Sequence, residues 1–144
     1  MTHAVVRFGL VALAALSFGC GSRGAATPSA GGTVAPQGSP DELLEFALRA
    51  GSAGDFDGYL ALVHPNEKSN AAQVTNIREF SWKRFARQAT WYRDPSGRVQ
   101  IDRRTEEGAD VMLYVHDFHN AGRLPPPLRV RQEGGVWRIV TSSL

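Results

Sequence analysis

Hydrophobic positions along the chain change their spacing three times. A nearly unbroken apolar run, FGLVALAALSFG, occupies residues 8–19, and the segment GSRGAATPSAGGTVAPQGS from Gly21 to Ser39 then shows no hydrophobic period. From Pro40 the apolar positions return three and four apart, as on one face of a helix. Leu43, Phe46, Ala47 and Ala50 predict a first helix, opened by Ser39 as N-cap with Pro40 and Glu42 completing a capping box, and stopped by Gly51. Asp55 predicts the cap of a second short helix, with Phe56, Tyr59, Leu60 and Val63 on one face and His64-Pro65 as its end. A third is predicted from about Val74 to Gln88, with Ile77, Ser81 and Phe85 on one stripe and Trp82, Ala86 and Ala89 beside it.

From Thr90 onward the period becomes two, and Gly or Pro clusters punctuate short runs rich in Val, Ile, Tyr and Trp, which predicts strands. DPSG at 94–97 reads as a turn, RVQIDRR as a strand, TEEG at 105–108 as a hairpin loop, and ADVMLYVHDF as a strand apolar on both faces and therefore central. LPPPL reads as an extended connector, and LRVRQ and VWRIVTS flank EGG as a closing hairpin. The fold class is therefore α+β: N-terminal helices packed on a curved antiparallel sheet of about four to five strands.

Length allows one small domain and an extension, since 144 residues leave about 105 from Pro40 onward. Between Asp41 and Leu144 there are 14 basic and 14 acidic residues, so this part is neutral overall. That speaks against a nucleic-acid partner, because such affinity rests on neutralising several phosphates at once. The aromatic and basic stretch from Arg78 to Arg104, eight Lys or Arg among Phe80, Trp82, Phe85, Trp91 and Tyr92, reads first as a solvated face. Its alternative use is a positive patch toward anionic lipid or an acidic partner protein.

The N-terminal pattern has the layout of a secretory signal peptide: a start carrying His3 and Arg7, a short apolar run, then small residues. About 20 apolar residues are needed to span a bilayer, more than this run has. Cys20, the sole cysteine, sits at its C-terminal edge between Gly19 and Gly21, and here the chain resembles a bacterial lipoprotein precursor. The resemblance implies a signal peptide over 1–19, a lipidated Cys20 carrying diacylglyceryl and a further acyl chain such as palmitate, and anchoring to a membrane of the bacterial cell envelope, facing the periplasm or exterior. In that family the position three before the Cys is usually Leu; here Ser17, Phe18 and Gly19 precede it and Leu16 stands one place too early. A plain secreted protein with a free thiol, or a cysteine buried in a retained segment, are the alternatives. Residues 20–39 would then be the lipidated Cys and a Gly/Ala/Ser/Pro tether with a mean span of about 25 Å.

Residues 40–144 resemble the NTF2-like, cystatin/ketosteroid-isomerase-like cone domains found in small bacterial lipoproteins. The likeness rests on ALRAGSAGDFDGYLALVHP, similar to that family's helix pair around a Gly-Asp-Phe turn, and on EGGVWRIVTSSL, similar to its last hairpin. It implies a curved sheet wrapping the helices around a conical cavity, used by some members for catalysis and by many only for binding. Fold alone does not choose between these.

Candidate acid–base groups are Asp55, Asp57, Asp102, Asp117, His64, His116 and His119. Asp55 and Asp57 read better as a cap and a solvated turn, and Asp102 as an outward position on its strand. The HDFH stretch at 116–119 suggests a metal, but on a regular strand His116 and His119 point to opposite faces, so no metal or other cofactor is expected. His116 shares a face with Met112, Tyr114 and Phe118, which makes Tyr59, Tyr114 and His116 the candidate pocket lining. The expected function is non-catalytic: an envelope lipoprotein whose cone binds a small apolar ligand or a partner protein. The alternatives are a cavity enzyme of isomerase or dehydratase type with a carboxylate or His as general base, and a structural accessory of an envelope assembly.

Overall fold

The structure is a computed structural model that describes residues 38–120, 122–124, 127–142 and 144. The apolar run, Cys20 and most of the expected tether lie outside the described residues.

Helix α1 (Pro40–Ala53) begins as its sequence dictates, with the Ser39 hydroxyl accepting from the Glu42 N–H at 3.2 Å. The Glu42 carboxylate turns back to accept from the N–H of Gly38, the residue before the cap, so one orphan donor of the first turn and the N–H just ahead of the helix are both satisfied. The expected stop at Gly51 is corrected: the helix runs on to Ala53 and is closed by Gly54 at a left-handed φ of 69°. Gly51 is glycine for a different reason. A Cβ there would stand 2.8 Å from both the Ala89 Cβ and the Phe85 ring, so only a bare backbone lets the later helices approach. Helix α2 (Phe56–Leu62) is capped as expected by Asp55, whose carboxylate accepts from the Gly58 N–H at 2.8 Å.

A 3-10 turn (Pro65–Lys68) leads into the third helical stretch, which is longer and less regular than its sequence predicts. It consists of α3 (Ala71–Asn76), a π-helical segment (Ile77–Trp82), α4 (Lys83–Gln88) and a closing 3-10 turn (Ala89–Tyr92). Residues 90–92, expected to begin the strands, are therefore still helical. Trp82 and Phe85 are buried on one side, where Tyr59 packs on their rings at 5.1 and 5.0 Å and Phe56 meets Trp82 edge-on at 5.6 Å. Aromatic pairs in this range add about 0.5–1.5 kcal/mol each beyond the area they bury. Phe80, in the middle of the π segment, is instead 73% exposed.

The sheet is an antiparallel meander in the order β1 (Ile101–Glu107), β2 (Asp110–Val115), β3 (Leu128–Glu133), β4 (Val136–Ser142). The α+β class and its four strands thus stand. The expected TEEG loop is corrected: Thr105 to Glu107 remain in β1, and the chain turns at Gly108, whose φ is 64°. β2 stops at Val115, three residues earlier than expected. It is an interior strand, with Leu113 and Val115 in the core; its other face, with Asp110, Met112 and Tyr114, lies beneath arginine side chains from β1 and β3. The free edge of β4 is met by Val63, which bridges Ile139, and by the His64 N–H, which donates to the Ile139 carbonyl at 2.7 Å.

Candidate functional site

Where α2 and the α3/π stretch approach β4, the side chains do not close the gap. A half-open cleft of about 320 Å³ remains. Its apolar wall comes from Val63, Ile77 and Ile139; its polar groups come from Gln73, Asn76 and Ser81 on the helical side and from Thr141 and Ser142 on the strand. Tyr59 lines it from α2, held in place by its contacts with Trp82 and Phe85.

Burial pushes the Tyr59 phenol up to about 12, and the neighbouring Ser142 hydroxyl and the Arg84 charge offset part of the rise. The group is therefore a hydrogen-bond donor throughout the physiological range. Ser142 is nine-tenths buried, and its hydroxyl, beside the Tyr59 phenol, makes no close, well-aligned hydrogen bond among the described residues. Glu67, exposed at the mouth, is the one carboxylate in the described lining, and no Lys, Arg or His is among those residues.

The three expected lining residues are not brought together. Tyr59 lies in the cleft, whereas Tyr114 and His116 are absent from its described lining. Tyr114 lies under the Arg103 guanidinium, 3.9 Å from its centre. The register of β1 slips at Asp102, and this irregularity aims its carboxylate at His116 Nδ1, 2.9 Å away. The ring of His116 also meets Phe118 edge-on at 4.5 Å.

The HDFH residues serve separate contacts. Asp117, buried, accepts from the N–H groups of His119 and Asn120, and the His119 ring stacks on Trp91 at 4.5 Å. Among the described residues no three of His, Cys, Asp and Glu are grouped as a metal would require.

The basic stretch from Arg78 to Arg104 is largely answered from within. Lys83 pairs with Glu79, Arg93 with Glu45, Arg98 with Asp94 and Arg104 with Asp41. Arg78 covers the Phe56 ring at 3.9 Å. Arg84 and Arg87 donate to the backbone carbonyls of Leu144 and Lys83. With its carboxylate partners in place, the stretch does not present eight free cations.

Sequence reasoning missed the helical wall of the cleft, although one signal for it was visible. Ser81 falls on the stripe of Ile77 and Phe85, and a hydroxyl in an otherwise apolar stripe marks a place where the core is not filled. Ser142 carried a weaker sign of the same kind, being small and polar on the inward face of the last strand. No protein family, no curated protein and no solved structure matches this chain.

Proposed function

We propose that the protein is a lipid-anchored component of the bacterial envelope, whose α+β domain has the NTF2-like cone arrangement and holds a small, largely apolar molecule without covalent chemistry. One observation carries the binding part of this reading: the cleft between the helices and β4, with an apolar wall and a few hydroxyl and amide groups. Small-molecule sites are characteristically concave and apolar with a few placed polar groups. A general base would need to reach the ligand; the carboxylate nearest this role, Glu67, is exposed at the mouth, and the Asp102–His116 pair is outside the lining.

The anchoring part rests on Cys20 and the apolar run before it. Growth with an alkyne-bearing palmitate should label the protein, and Cys20→Ser should abolish the label and release the chain from the membrane fraction. Retention of label in the variant would overturn lipidation at this residue. For the binding part, native mass spectrometry of the protein extracted from a bacterial envelope should show added mass that disappears on denaturation. A bare protein would instead favour a partner protein, sought by crosslinking the anchored form.

A further inference from the structure

We propose that the cleft receives an uncharged ligand ending in a carbonyl-type oxygen, as in an amide, ester or ketone, with the Tyr59 and Ser142 hydroxyls donating to that oxygen and the apolar body lying against Val63, Ile77 and Ile139. This rests on the binding reading above and specifies the class of molecule bound.

The first support is the Ser142 hydroxyl, buried in the lining beside the Tyr59 phenol and without a close, well-aligned hydrogen bond among the described residues. A buried polar group left without a good hydrogen bond is costly, and an acceptor atom from a ligand would remove that cost. The second is its neighbour. Tyr59 keeps its proton far above neutral pH, so the two hydroxyls together offer donors to a single acceptor.

The third is charge. A carboxylate or phosphate entering the cleft would lose hydration and meet no cation among the described lining residues, a loss that only pairing can offset. Arg84, close enough to act on Tyr59, is turned to the Leu144 carbonyl at 3.3 Å. A ligand ammonium would meet two hydroxyls at the inner end, and its one carboxylate partner, Glu67, is exposed at the mouth. Neutrality is what this lining favours.

The chain holds three isoleucines, and their positions make the test direct. Ile77 and Ile139 line the cleft, while Ile101 stands on β1 outside its described lining and serves as an internal control. The full chain, methyl-labelled at isoleucine and held in lipid nanodiscs, would be titrated separately with hexanamide, hexanoate and hexylamine. Hexanamide should shift the Ile77 and Ile139 methyl resonances and leave Ile101 in place, with an affinity at least about tenfold above that of the other two.

Tyr59→Phe and Ser142→Ala should each weaken hexanamide by about tenfold. Ser142→Ala removes a hydroxyl whose neighbour among the described residues is the Tyr59 phenol, and an unchanged Ile101 resonance should certify its fold. Tighter or equal binding of hexanoate would overturn the inference and leave the binding reading standing. An unchanged affinity in both variants would do the same. No shift with any of the three probes would overturn it as well, and native mass spectrometry would then decide the binding reading separately.

Discussion

The two sides of the helical stretch that runs from Ala71 to Tyr92 meet the rest of the domain in opposite ways. Toward α1, contact is so close that Gly51 has no room for a side-chain carbon, and Phe85 and Ala89 are fully buried against it. Toward β4, the same stretch presents Gln73, Asn76 and Ser81, and a cleft stays open. The difference lies in the residues. Apolar groups of graded size interlock to the density of a crystal, whereas amides and hydroxyls lose solvation if buried without partners and so hold a gap that water or a ligand can occupy.

The strongest way to break this contrast is to crowd the closed side. Gly51→Val should destabilise the protein by about 3 kcal/mol, because three carbons would be added where even a Cβ stands 2.8 Å from the Ala89 Cβ and the Phe85 ring. Urea unfolding followed by Trp fluorescence would measure it. A wild-type midpoint would mean that the helices separate easily and that the two sides are alike.

A smaller effect should come from the sheet face away from the core. Hydrogen bonds from Arg131, at 2.6 and 3.2 Å, hold the Asp110 carboxyl below the usual carboxylate range. A carboxyl depressed in the folded state contributes stability that is present above the unfolded value of about 3.9 and is lost as pH falls through the lower folded one. The urea midpoint should therefore drop below about pH 4 in the native protein, and less steeply in Asp110→Asn. Equal slopes would remove Asp110 from the account of acid stability.

The smallest effect should be on the open side. Ser81→Ala should change stability by less than about 0.5 kcal/mol, because its side chain borders space and not a packed neighbour. A loss as large as that of Gly51→Val would show that the cleft is closed in solution.

Sequence patterning reached the α+β class, the two helix caps and the four-strand meander because each of these is a local matter. Ser39 and Asp55 cap their own helices within three residues, and the period-two run of β3 alternates between buried and half-exposed positions. Gly51 was misread for the same reason. A glycine near a helix end is a stop by local rules, but here it answers a contact with residues nearly forty positions away.

The candidate site was only partly legible. Tyr59 was visible as an aromatic on an amphipathic helix, and Ser81 as a hydroxyl in an apolar stripe. Tyr114 and His116 shared a strand face with apolar residues, yet tertiary neighbours claimed them: Arg103 covers the tyrosine, and a register slip brings Asp102 to the histidine. By itself the sequence determined the apolar run that ends at Cys20, the elements from Pro40 onward and the balance of charge. Only the tertiary structure decided which side of the third helical stretch is filled, which arginines are spent on carboxylates, and that Tyr59 and Ser142, far apart along the chain, share one cleft. Caps and periods are set by nearest neighbours, whereas a cavity is what distant side chains fail to fill.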